Sequence, residues 1–268
     1  MAEVTVFHNT AELVPVKEKG WKIGFSNVFG RELERVWNAR AFSIQTLAWL
    51  VILNFILALF IEVEGGSGPM TGSVSTFMLL SGVVVPMGAA VVSSGAIIGE
   101  KKAGTAAWVL SKPASRTAFI IAKFLAIASA FLVAAVVIQA AVAYAQLSLA
   151  TKTLIPIGPY LSATLMVVLA VAFYLSLTLM LGTMFESRVP VMGIPIALVI
   201  GQIFVTGLLS GVMDWLPYLF PGSLLQLSMD FVAGTPRGGL WILTIFSTVG
   251  LTALFLYLAL QRIHRDEL

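Results

Sequence analysis

Six predominantly apolar runs of about twenty residues or more dominate the chain, and that is the length an α-helix needs to cross a hydrocarbon core roughly 30 Å thick. They are Ala41 to Ile61, Val74 to Ile98, Thr117 to Ser148, Leu161 to Phe185, Val191 to Val212 and Leu240 to Leu260. Backbone amides in lipid must be bonded within a helix or within a closed barrel, and alternating strands of about ten residues are not written here. The predicted fold class is therefore an all-α polytopic membrane protein with six transmembrane helices. Composition agrees: 59% hydrophobic and 11% charged residues lie far outside the soluble range.

The same premise narrows the function classes. Cysteine is absent, which removes disulfides, thiolate metal sites and Cys nucleophiles. The pI near 9.3 reads as the basic excess of inward-facing loops rather than as a nucleic-acid footprint, so the expected medium is the lipid bilayer and no nucleic-acid partner is expected. The first residues, up to about position forty, lack a compact apolar core, so no cleavable signal peptide is expected.

Residues 1–24 read as a cytoplasmic tail, partly disordered, with Pro15 and the Lys17-Glu18-Lys19 cluster. From Phe25 the pattern turns amphipathic. Phe25, Val28, Phe29, Leu33, Val36 and Trp37 recur at three- and four-residue spacings, and Arg31, Glu32, Glu34, Arg35 and Arg40 fill the remaining positions. This predicts a helix over 25–40 lying in the membrane interface, or packed on the bundle as a surface helix.

The second run carries Gly82, Pro86, Ala90 and Ser94 at four-residue intervals, with a kink expected near Pro86, and the third carries Ala122, Ala126, Ala130 and Ala134 likewise. Both stripes read as packing faces. Gly207 and Gly211 in the fifth run are a weak dimer-seam signal. The connection 214–239 is too punctuated by Pro and Gly to span, yet its Trp215, Leu216, Tyr218, Leu219, Phe220, Leu224, Leu225 and Phe231 are too apolar for a free loop. Short re-entrant helices before the sixth span satisfy both facts.

Six spans put both termini on one side. Fourteen Lys and Arg fall on that side against Lys152 and Arg237 on the other, which places the amino terminus, the central polar segment and the tail 263–268 in the cytoplasm. The terminal Arg-Asp-Glu-Leu, which has the form of a luminal retention signal, would then face the wrong compartment.

The spans read as free of ionisable residues in their interiors, with Asn54, Gln139, Gln146 and Gln202 as the main polar inventory, expected to bond between helices. That leaves no buried carboxylate for a proton-coupled carrier and no residue set for an intramembrane protease; His8 and His264 both lie near the termini. No phosphate-cradling Gly-rich loop ending in Lys and Ser or Thr is present either, so no nucleotide cofactor is expected on this chain. Energy for any transport must come from a separate subunit.

The place to receive one is the polar interruption Gly99 to Arg116 (GEKKAGTAAWVLSKPASR). Glu100 to Thr105 can extend the second span, Thr105 can cap a short helix over 106–110, Lys112-Pro113 ends it and Ser115 starts the third span. A short helix continuous with two spans is a lever; an ordinary basic loop has the same composition, and the residues alone leave both readings open.

Ile98, Gly99, Glu100, Lys101, Gly104 and Thr105, then Val109-Leu110-Ser111, Pro113, Ser115-Arg116 and Lys123, resemble the signature of permease subunits of ABC-2 type transporters. In that family a Glu, a Gly-Thr, a Leu-Leu-Ser-x-Pro and a Ser-Arg precede the third span. The resemblance covers residues 25–262, taking in the amphipathic connecting helix and the re-entrant segment. Val109 stands where Leu is usual, and Lys101-Lys102 replaces a second acid, which alters the charge offered to a partner.

The resemblance implies a non-catalytic permease, in most relatives an exporter, that pairs with a second copy or a paralogue and docks on two ATP-binding ABC subunits at the cell (inner) membrane. It implies a coupling role for Glu100, Lys101, Gly104, Thr105, Leu110, Ser111, Pro113, Ser115 and Arg116, and makes Arg31, Glu32, Arg35 and Trp37 members of the connecting helix. It also implies that the first, second and fifth spans line the pathway or the dimer seam. The alternative is a membrane scaffold whose central segment only anchors a partner; nothing in the sequence resembles a channel filter or a charged pore ring.

Overall fold

The fourth span is the post around which the other helices stand. In the computed structural model, which describes residues 20–63, 70–102, 115–235 and 239–265, it runs from Ile157 to Met184. Its apolar stretch is 78% buried, against 22% for the first span and 17% for the sixth, and it packs on the second, third, fifth and sixth spans and on the short helix Ser223–Val232. No charge interrupts it. Its threonine hydroxyls bond to their own helix backbone, Thr164 donating to the Tyr160 carbonyl at 2.9 Å and Thr178 to that of Tyr174 at 2.7 Å.

Among the described residues the chain is helical, without strands. An amino-terminal helix, Phe25–Val36, precedes the first span, Ala39–Val63. The second span is Gly72–Lys101 and the third Arg116–Thr151. The fifth, Arg188–Ser210, is bent by 48° between Gln202 and Phe204, and the sixth helix is Leu240–Arg265. Among the described residues five helices are long and apolar enough to cross a membrane, and the bent fifth span, taken as one, makes six. Large apolar side chains such as Leu47, Phe204 and Phe246 face outward, as expected where the solvent is lipid.

The helix of the second span continues through Pro86, and its interruption falls at Ser94, between Met70–Ser93 and Gly95–Lys102. Neighbouring elements approach this span closely at Gly82, Gly88 and Gly95. A Cβ on Gly82 would lie 2.6 Å from Leu225 Cδ1 of the helix Ser223–Val232, and one on Gly88 would overlap two ring carbons of Trp49 in the first span. Gly88 lies outside the four-residue stripe. The alanine stripe of the third span is buried at all four positions.

The first and third spans each loosen into a π-helical turn near mid-length, Leu50–Phe55 and Val133–Val137. Such turns displace carbonyls from the ordinary ladder, and a polar pair bridges the two. Asn54 Nδ2 donates to Gln139 Oε1 at 2.7 Å, and Gln139 Nε2 donates to the carbonyls of Ala134 at 2.8 Å and Thr46 at 3.3 Å. The connection after the fifth span forms a 3-10 turn, Leu216–Leu219, and a helix, Ser223–Val232, which buries Leu224 and Leu227 against the fourth span.

Candidate functional site

At the end of the bundle that carries the amino-terminal helix, charges gather where apolar helices converge. Glu32 sits on the buried face of that helix, one turn from Val28 and one from Val36, and its partner explains why. The side chain of Lys123, in the third span, is wholly buried; its ammonium donates to Glu32 Oε1 at 2.6 Å and to Glu100 Oε1 at 2.5 Å. Arg35 adds a second cation, 2.7 Å from Glu32 Oε2 and 3.7 Å from Glu100 Oε1. Two acids and two bases balance, so the cluster is neutral as a group. It fastens together three elements: the amino-terminal helix, the end of the second span and the third span.

Local sequence builds the frame for this. Gly24 takes φ +74°, a left-handed turn that glycine tolerates, and the amino-terminal helix starts from it. Just before that turn, the Ile23 carbonyl accepts from the Ser115 amide at 2.9 Å, tying the entry of the chain to the start of the third span. Ser115 caps that span through its hydroxyl, which accepts from the Ala118 amide at 3.0 Å. At the other end of the helix Trp37 donates from Nε1 to Ser129 Oγ at 3.2 Å, and Asn38 caps the first span by accepting from the amides of Arg40 and Ala41.

Further cations brace the same end. Lys101 Nζ donates to the Thr183 carbonyl at 2.7 Å and Arg116 Nη1 to the Ile263 carbonyl at 2.8 Å, closing the last turns of the fourth and sixth helices. The guanidinium of Arg188 lies against Gly95, where a Cβ would stand 2.6 Å from Nη2.

Of the residues singled out in the sequence, Glu32, Arg35 and Glu100 come together in the cluster. Lys101, Ser115 and Arg116 stand beside it, and Trp37 braces its frame. Arg31 is exposed on the outer side of the amino-terminal helix. Gly104, Thr105, Leu110, Ser111 and Pro113, with the short helix expected over 106–110, lie outside the described residues, as do the tail 1–19 and residues 266–268.

The reading that the spans hold no interior charge is corrected by Lys123, which lies in the third span and is sealed by two carboxylates. The placement of Glu32 on the polar face of its helix is corrected as well. The sequence signal was the four-residue spacing Val28, Glu32, Val36, which puts a carboxylate in the middle of an apolar stripe and calls for a buried cation.

Deeper in the bundle the bend of the fifth span is held by Tyr174, whose hydroxyl donates to Gln202 Oε1 at 3.0 Å. The backbone of Gly222 abuts the same bend, where a Cβ would stand 3.0 Å from Gln202 Cβ and 3.1 Å from Thr206 Oγ1. No cluster of three or more candidate metal-ligating residues occurs among the described residues. The family model described as ABC-2 family transporter protein matches residues 71–268. No curated protein matches the chain.

Proposed function

Because the chain belongs to the ABC-2 family of transporter proteins and is a multi-pass membrane protein, we propose that it is the permease subunit of an ATP-driven exporter, coupled to a separate ATP-binding subunit through the segment Glu100 to Arg116. The observation that carries this reading is the buried Lys123 bridge. It joins the end of the second span and the start of the third to the amino-terminal helix, so the two roots of the central segment form one braced unit. A partner that shifts the segment then shifts three elements together. A flexible basic loop would need no such brace, since a buried charge is costly unless it is fully paired.

In this reading the amino-terminal helix, the segment and the turn at Arg188 face the cytoplasm, as the bias of basic residues supports. The complex holds two ATP-binding subunits and two permease chains, identical or paralogous, with the outward apolar faces of the first and fifth spans available to the seam and the pathway. Export follows the habit of the family. The chain itself performs no chemistry; hydrolysis belongs to the partner. The test is recovery of the solubilised chain from its native membrane, intact and as Gly104→Trp. An ATP-binding subunit recovered with the first and lost with the second supports docking at the segment. Well-folded wild-type chain that brings down no ATPase contradicts it and favours a scaffold.

A further inference from the structure

At the bend of the fifth span one buried amide has a donor and no protein group to receive it. Gln202 is 9% exposed, and its Oε1 accepts from the Tyr174 hydroxyl at 3.0 Å. The backbone of Gly222 packs on the same amide, so that a Cβ there would stand 3.3 Å from Oε1. Two N–H donors remain on Nε2. Neither finds an acceptor among the described residues, and a buried donor is rarely left so. Gln202 borders a small cavity, lined also by Gly82 of the second span, Tyr174 of the fourth, and Leu225 and Ser228 of the helix Ser223–Val232. Its volume is about 10 Å³. A single water needs roughly 10–15 Å³, and a lipid chain or a transported solute needs far more.

The other polar groups on the cavity complement that donor. Ser228 is 1% exposed; its hydroxyl donates to the Leu225 carbonyl at 2.8 Å, as that of Tyr174 donates to Gln202, so both oxygens keep lone pairs to accept with. One water that accepts from Gln202 Nε2 and donates to both hydroxyls makes three bonds, the usual number for a buried water. The backbone agrees. Sharp helix bends occur where water or a side chain enters the hydrogen-bond ladder. This one, of 48°, falls directly after Gln202, whose carbonyl accepts from the Thr206 hydroxyl at 2.6 Å.

We infer that this cavity is a water site: one ordered water, bonded by Gln202, Tyr174 and Ser228, is the polar link between the bend of the fifth span, the fourth span and the helix Ser223–Val232. Among the described residues no side-chain hydrogen bond joins that helix to the fifth span directly, so the water supplies the one polar tie between them. Size and donor set both select water. A cation would meet the N–H groups of Gln202, and no charged side chain lines the cavity to hold an anion. The inference is independent of the permease reading.

A density map of the full chain in lipid, at a resolution that shows buried waters, tests it. The expected result is one rounded peak within about 3.2 Å of Gln202 Nε2 and of both hydroxyl oxygens. Ser228→Ala removes one acceptor and otherwise only a bond within its own helix, and is expected to abolish the peak. The chain has no cysteine, so spin labels at Ile194→Cys and Phe204→Cys form a unique pair across the bend. Their distance distribution is expected to broaden in Ser228→Ala, as it does in Gln202→Met, which keeps the length of the side chain and removes its amide. A wild-type map with no peak at the site overturns the inference. So does an elongated density, which would make the occupant a lipid or detergent chain. A peak retained in Ser228→Ala, or a distribution that Ser228→Ala leaves unchanged, overturns the link assigned to the water.

Discussion

Glu32 and Lys123 are separated by 91 positions in the chain and by 2.6 Å in space. Everything between them, the first span, the second span and the central segment, is thereby closed into one loop with an ionic clasp. The clasp is buried, so it is sensitive to the loss of either partner in a way a surface pair is not.

Removing the cation alone is therefore the worst change. Lys123→Met strands Glu32 and Glu100 side by side without the ammonium between them, and is expected to cost about 3–5 kcal/mol of stability. The triple variant Lys123→Met, Glu32→Gln, Glu100→Gln removes the buried charges together, leaves the half-exposed Arg35 to solvent, and recovers most of that loss, because a neutral replacement of buried ions is often tolerated. Thermal unfolding of the detergent-solubilised protein orders the three: wild type, then triple variant, then Lys123→Met. A triple variant as unstable as the single one would show that charge pairing is not what the site provides.

The bridge between the π-turns behaves as a unit. Gln139→Leu removes an acceptor from Asn54 and a donor from two carbonyls at once, at an expected cost of about 1–3 kcal/mol. Adding Asn54→Leu costs little more, since its partner is already gone. Independent, additive losses in a double-mutant cycle would contradict the bond between these side chains.

Gly88 is expected to tolerate no side chain. The indole of Trp49 occupies the place of its Cβ, so Gly88→Val must push the first span off the second and is expected to destabilise by about 1–3 kcal/mol. Gly158→Ala, where the Cβ meets open space, is the control and leaves the melting temperature unchanged. Equal effects at the two positions would contradict the packing of Trp49.

At the bend of the fifth span Tyr174→Phe deletes one buried hydrogen bond and leaves the ring, for an expected cost of about 1 kcal/mol. The carbonyl oxygen of Gln202 is then left to find another donor. Spin labels on either side of the bend, at Ile194→Cys and Phe204→Cys, are expected to report a broader distance distribution in the variant. An unchanged distribution would show that the bend is held by backbone packing at Gly222 alone.

The spans, the amphipathic helix and the short helices before the sixth span were legible because each follows from a one-dimensional pattern: run length, a four-residue period, or apolar residues between Pro and Gly. What pattern could not supply is pairing across the fold. Glu32 looked like one more charge on a polar face until Lys123 stood opposite it, and Lys123 looked like a basic residue at a span's edge until two carboxylates covered it. Gly88 was missed because its reason is the ring of Trp49, on another span.

The central claim is that the braced segment couples a separate ATPase to the spans, and the rate of ATP hydrolysis by the recovered complex tests it most directly. The ATP-binding subunit is assayed alone, with wild-type chain, and with Glu100→Ala chain, in the same lipid. The account predicts that wild-type chain changes the subunit's turnover and that Glu100→Ala, by opening the cluster at the root of the segment, removes that change. Turnover that is the same in all three, from well-folded protein, would contradict it.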